Sequence, residues 1–390
     1  MINVAAYQRS IGILKKASTP YGFVASLEEH DNYKRIWTRD GSINSMAALL
    51  SGEPDLIETV KATLHTIFTH QHPSGFMPSN VSPGAGVSYG GTVGRADNPS
   101  WAVITLCQYA LMQNELSFAK QYLPQVINCF SVMDAWEYNG KHLLYVPQSG
   151  DWADEYIQHG YVLFNQLLRI WALQLAARVF EEEEWAAKAA RIREVVEINY
   201  WNRLGAGPLY AANLKHQLRE APQGYWLMGF NPARVYPQFD LQANALAILL
   251  GLGTADENRE AFQYIQGLQL RKKSLLPSFY PSILQEDADM RELENNYAYG
   301  FRNRPHEFHN GGLWPVWNGL LAAAAVLMND PEFAASITQE IELANEKNQH
   351  QYNECLQGES QEPIGVPYCT WSAGGHVIAI AYLEGKRLFT

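Results

Sequence analysis

Apolar residues along this chain recur at helical spacing almost throughout, and the joints between helical stretches alternate between two kinds. Joints such as Gly52-Glu-Pro-Asp55 and Asn329-Asp-Pro-Glu332 are tight punctuation. The others, such as residues 74–94, 205–237 and 274–310, are long and rich in Gly and aromatic residues. The periodicity predicts roughly twelve helices, over residues 4–17, 42–51, 54–70, 99–112, 117–136, 161–180, 182–201, 241–251, 255–268, 313–328, 331–347 and 371–384. Taken in pairs, with short turns within a pair and long loops between pairs, they fit an all-α (α/α)6 barrel, in which six inner and six outer helices alternate. Inner helices should be apolar all round, as residues 243–252 and 320–327 are. Outer helices should carry a charged face, as residues 181–193 and 332–347 do. A solenoid would show a sequence period, and none is visible. A doubly wound sheet would need apolar strands between the helices, and these are missing. No Pro/Ser linker divides residues 1–390, so the expectation is a single domain.

Charge narrows the function classes. The net charge is −11, which argues against a nucleic-acid surface and against attraction to anionic membranes. The one basic cluster, Arg271-Lys272-Lys273, reads as a solvated turn. Cys107, Cys129, Cys355 and Cys369 show no zinc spacing, and Cys107 and Cys129 read as buried thiols. There is no signal-peptide pattern at the N-terminus and no apolar run long enough to span a bilayer, so a soluble, cytoplasmic protein is expected. Neither a metal nor a cofactor is expected, and a homo-oligomer stays open.

If the long loops share one end of a barrel, their unusual residues converge there. Those loops carry Trp37-Thr-Arg39-Asp40, His72 to Pro78 with Met77, Arg95-Ala-Asp97 to Trp101, Asp151-Trp152-Ala-Asp154-Glu155, His306 to Pro315 with His309, Asn310 and Trp314, Tyr352-Asn-Glu354, and Tyr368 to Trp371. Each sets an aromatic ring beside a carboxylate, amide, His, Gly or hydroxyl. Rings stack on the C–H faces of sugars while carboxylates bind hydroxyls or move protons, so the set points to a carbohydrate pocket. Simpler explanations exist for single members. Acids at residues 151–155 could answer the macrodipole of a following helix. Arg39–Asp40 could be a structural ion pair, and Asp97 before Asn98-Pro99 an N-cap. His306 and His309 do not fit the H-E-x-x-H zinc pattern.

These segments resemble inverting (α/α)6-barrel glycoside hydrolases, most of all the neutral/alkaline invertases, with features of glycogen-debranching glucosidases and of glucosylglycerate or mannosylglycerate hydrolases. His309-Asn-Gly-Gly-Leu-Trp-Pro315 is similar to the invertase His-Asn-Gly-Gly-x-Trp-Pro, and Thr370-Trp-Ser-Ala-Gly374 to Thr-Trp-Ser-Ile-Ala-Gly. Tyr352-Asn-Glu354 stands where invertases carry Trp-Pro-Glu, and Trp152-Ala-Asp154 resembles the Trp-x-Asp acid motif of debranching enzymes. The chain departs from invertases after Asp154, where their Arg-Arg pair is missing. The resemblance implies Asp154 as general acid, with Asp151 as the fallback, and Glu354 as general base. Trp37, Arg39, Asp40, Met77, Arg95, Asp97, Trp101, Trp152, His309, Asn310, Trp314 and Trp371 would then bind substrate.

Inversion needs a protonated carboxyl facing the leaving oxygen and a carboxylate ~6.5–9.5 Å away that activates water. The expected substrate is a small α-glucoside, sucrose first. Glucosylglycerate, mannosylglycerate and a malto-oligosaccharide end are the alternatives. A sugar epimerase working through His306 and His309 is the alternative from another class, and a non-enzymatic sugar-binding barrel is the third.

Overall fold

The computed structural model describes residues 3–201, 209–272, 274–297 and 300–390, with backbone only for 270–272. Lys273, the side chains of Arg271 and Lys272, and part of the loop 205–237 therefore lie outside what is described. Twelve helices make the frame: α1 (Val4–Ala17), α2 (Thr38–Ser51), α3 (Pro54–Thr69), α4 (Asn98–Met112), α5 (Leu123–Ala135), α6 (Leu163–Phe180), α7 (Glu183–Asn199), α8 (Leu241–Leu249), α9 (Ala255–Lys272), α10 (Pro315–Leu327), α11 (Pro331–His350) and α12 (Thr370–Leu383). The even-numbered helices pack each on the next, and α12 closes back on α2. The odd-numbered helices cover them from outside. This is the (α/α)6 barrel.

Side-chain chemistry explains which helix goes where. From Pro315 to Ala325, α10 is buried on every face, as its Ala- and Leu-rich sequence allows. In contrast, α7 buries only Ala189, Ile192, Val196 and Asn199, a stripe at helical spacing, and turns its charges outward. Where α10 crosses α12, Gly319 and Gly375 let the backbones touch. A Cβ on Gly375 would sit 2.6 Å from Val316 Cα.

Local details differ from the periodic expectation. Helix α2 begins at Thr38 and not near Ser42, so Arg39 and Asp40 lie in its first turn. The stretch 117–136 is two helices, Leu116–Lys120 and α5, because Pro124 opens a new first turn and cannot donate into an existing one. Tyr161–Val162 is a short strand ahead of α6. It joins Leu227–Phe230, Val235–Asp240 and Phe279–Tyr280 in a four-stranded antiparallel patch within loops that read as irregular.

A repeated device fastens the chain to these helices. A buried amide side chain bonds both the N–H and the C=O of one residue elsewhere, as a neighbouring strand would. Gln166 does so with Leu144 (3.1 and 2.8 Å), Asn244 with Trp226 (2.9 and 3.0 Å) and Asn318 with Leu276 (2.9 and 2.9 Å). Gln108 of α4 does the same with Phe389 of the C-terminal tail. All four cysteines are buried and unpaired, and no described helix is long and apolar enough to cross a membrane.

Candidate active site

The long loops enter the inner helices at their N-terminal ends. There they form a pocket lined by Tyr33, Trp37, Arg39, Asp40, Trp152, Asp154, Arg302, Phe308, His309, Trp314, Glu354 and Trp371. Its empty space is about 450 Å³, part of it open to solvent. The positive ends of inner-helix dipoles favour carboxylates here.

Glu354 is buried, and its two oxygens are held separately. The Tyr33 hydroxyl donates to Oε1 at 2.9 Å and the Val366 N–H to Oε2 at 3.2 Å. Burial raises its pKa, while Arg302, Tyr33 and Val366 pull the other way and Asp40 adds to the rise. Room for the carboxylate depends on Gly365, at φ +76°, where a Cβ would lie 2.7 Å from Oε2.

Asp154 faces the same cavity and ion-pairs with Arg95 at 2.5 Å. The Arg95 guanidinium is itself fixed by the carbonyls of Gly90, Gly94 and Ser149. Asp151 is not in the lining. It is buried, accepts from the Ala153 N–H and from Gln158, and is pushed up to about 7, first by burial and then by Asp97. The dipole explanation for the acids at 151–155 fails, because α6 starts only at Leu163 and has no acid in its first turn.

Around this pair, Arg39 lies 3.8 Å from Asp40, 3.6 Å from Asp97 and over the ring of Trp371. Burial raises the pKa of both acids against the pull of Arg39. Asp97 stands at the N-cap position of α4 but makes no capping bond, so its partner is Arg39. His309 is stacked flat on Trp314, edge-on to Trp152, and held neutral by burial and by Arg302, Arg39 and Arg95. Its Nδ1 has no hydrogen-bond partner among the described residues.

Five residues expected to bind substrate are outside the lining: Arg95 and Asp97 stand behind it, on Asp154 and Arg39, and Met77, Trp101 and Asn310 lie elsewhere. Met77 and Trp101 are packed into the core away from the lining. Asn310 spends its side chain on Ile283 (N–H at 2.7 Å, C=O at 2.8 Å) and on the Asn303 carbonyl. His306 does not face the pocket with His309. It is bonded to Ser282 and lies 3.3 Å from Glu359. Conversely, Tyr33, Arg302 and Phe308 line the pocket without having been expected. Phe308 could have been inferred from its neighbour His309. Tyr33 and Arg302 sit in loops whose sequence carries no motif.

The fold is an (α/α)6 barrel whose pocket sets carboxylates against aromatic rings, and the proteins it is similar to are glycoside hydrolases. Within that class, the resemblance to invertases is borne out: the family described as alkaline and neutral invertase matches residues 209–385. That span includes His309, Glu354 and Trp371 but not Asp154. Neutral/alkaline invertase 3 of Oryza sativa subsp. japonica is 22% identical over 94% of this chain and 70% of its own. Alkaline/neutral invertase E of Arabidopsis thaliana is 23% identical over 93% and 68%. Among solved structures, the GH63 mannosylglycerate hydrolase of Thermus thermophilus, in complex with Tris and D-glycerate, superposes with a TM-score of 0.70 at 12% identity, covering 98% of this chain and 100% of that one. A bacterial glucoamylase complexed with acarbose gives 0.64 at 15% identity, covering 98% and 56%.

Proposed function

We propose that the protein hydrolyses a small α-glucoside with inversion, Asp154 donating the proton to the leaving oxygen and Glu354 activating water. Sucrose is the first candidate substrate. The observation that carries this reading is that Asp154 and Glu354, from opposite halves of the sequence, line one pocket walled by aromatic rings. Glu354, held through both oxygens, is suited to take a proton from water on one face of the sugar. Arg39, Asp40 and His309 bind the hydroxyls of the same ring, with Asp97 behind Arg39 and with Trp314 and Trp371 as its walls. Asp151 is the alternative donor by its raised pKa, but both its oxygens are engaged and it does not face the cavity.

A glucosyl- or mannosylglycerate is the second reading of the substrate, favoured by the likeness to the mannosylglycerate hydrolase barrel. A malto-oligosaccharide end is the third. The epimerase alternative needs two histidines in mutual reach, whereas His306 is turned to Ser282 and Glu359.

A panel of sucrose, glucosylglycerate, mannosylglycerate and maltose, followed by NMR of the anomer first released, tests the reading. Asp154→Asn and Glu354→Gln should each lower turnover by about a hundred- to ten-thousandfold. Near-normal activity in either variant, or a retained anomer, overturns it.

A further inference from the structure

The residue that follows the proposed acid is bonded to a residue of the pocket lining. Glu155 is buried, and its carboxylate grips Arg302 by two parallel bonds, Nη2 to Oε1 at 2.9 Å and Nε to Oε2 at 3.1 Å. The main chain around it is clasped by the same loop: Asn303 donates to the Glu155 carbonyl and Asn296 to the Tyr156 carbonyl, both at 2.8 Å. Arg302 also packs 4.0 Å over the ring of Phe308. Its fork is engaged on the Glu155 side, so the orientation of the guanidinium is fixed. The group nonetheless lines the cavity together with Tyr33 and Glu354.

We propose that Arg302, anchored by Glu155, is the positioning residue of the base: it sets a fixed positive charge beside Glu354 without bonding to it. This rests on Glu354 being the base.

The physical need is plain. A carboxylate this deeply buried tends to take up a proton and would then be useless as a base. The groups that face Glu354 are the Tyr33 hydroxyl, the Val366 N–H, Asp40, the thiols of Cys355 and Cys369, and Arg302. Arg302 is the cation in that set, and Asp40 and the thiols act against it. Arg39 is committed to Asp40 and Asp97, and Arg95 to Asp154. Because Glu155 is covalently next to Asp154, one ion pair ties the segment of the acid to the surroundings of the base.

The test is a titration that does not depend on knowing the substrate. In protein labelled with 13C at glutamate carboxyls, the resonance missing from Glu354→Gln identifies Glu354. Its midpoint should rise by about one pH unit or more in Arg302→Met, and stay near the wild-type value in Arg302→Lys, which keeps the charge. The acid limb of kcat/KM, on whichever glycoside of the panel is turned over, should move with it. A midpoint within about 0.3 units of wild type in Arg302→Met, with melting unchanged, overturns the proposal. If Glu354→Gln keeps full activity while the midpoint shifts, the assignment of the base fails and the electrostatic link stands.

Discussion

Tyr33 and Glu354, 321 residues apart in sequence, are joined by a hydrogen bond of 2.9 Å inside the pocket. A bond from a phenol to a buried carboxylate is worth ~1.5–3 kcal/mol and fixes which oxygen faces the substrate. Tyr33→Phe should therefore lower kcat by about ten- to a hundredfold with a smaller change in KM, as steady-state kinetics would show. A rise in KM alone would make Tyr33 a sugar-binding ring and no more.

The rate should also report the protonation of Glu354. Its pKa lies above the ordinary 4.5 because burial outweighs Arg302 and Tyr33. Below that raised pKa the group is protonated and cannot accept a proton from water. The acid limb of kcat/KM is thus expected to have its midpoint above 4.5 and to disappear, with most of the activity, in Glu354→Gln.

Asp151 makes a separate prediction about stability. Its pKa is raised from 3.8 to about 7, so the folded state holds a proton that the unfolded chain releases near 3.8. Any contribution to stability is complete below 3.8 and is lost as pH rises through about 7. Asp151→Asn removes that dependence, and the otherwise unpartnered Gln158 Oε1 can accept from the new amide. By urea unfolding, the variant should gain on wild type by as much as ~2.5 kcal/mol between about pH 5 and pH 8. Equal differences at both pH values would mean that the carboxyl ionises freely in the fold.

Gly365→Ala should damage activity more than stability. A Cβ there would meet Glu354 Oε2 at 2.7 Å and Glu354 Cβ at 2.8 Å, at φ +76°. Strain of ~1–3 kcal/mol is expected, relieved by moving the carboxylate. Turnover should fall at least tenfold in the folded variant. An unaltered kcat would show that turnover does not depend on where the Glu354 carboxylate sits.

Asn310→Leu should act through the fold. It leaves the N–H and C=O of Ile283 buried without their partner, at a cost of ~2–4 kcal/mol measurable by denaturant. A raised KM with unchanged stability would return Asn310 to the binding role that the sequence suggested.

How far the sequence carried the interpretation depends on the range of the interaction. Helix α10 is identifiable as an inner helix because an Ala- and Leu-rich segment apolar on all sides must be surrounded by other helices. The stripe of α7 identifies it as an outer one. Carboxylates beside aromatics at Asp40, Asp154 and Glu354 were visible for the same local reason. Arg302 was not, because its meaning comes from Glu155, 147 residues earlier, and Tyr33 takes its meaning from Glu354. Asn310 misled because an amide within a conspicuous motif serves equally to hold a loop or a sugar, and only the position of Ile283 decides between them. The strands at Leu227–Phe230 and Val235–Asp240 are buried on nearly every residue, so they lack the alternation that announces a half-exposed strand.

The seam where α12 packs on α2 has a kinetic consequence. Tyr33, Arg39 and Asp40 come from just before and within the first inner helix, while Glu354 and Trp371 come from just before and within the last. Five inner helices can assemble with every other wall in place and still present no cavity. Contacts so distant in sequence form late, after the loss of chain entropy has been met by more local packing. Recovery of enzymatic turnover during refolding therefore times the docking of α12 against α2, and should lag the return of helical signal.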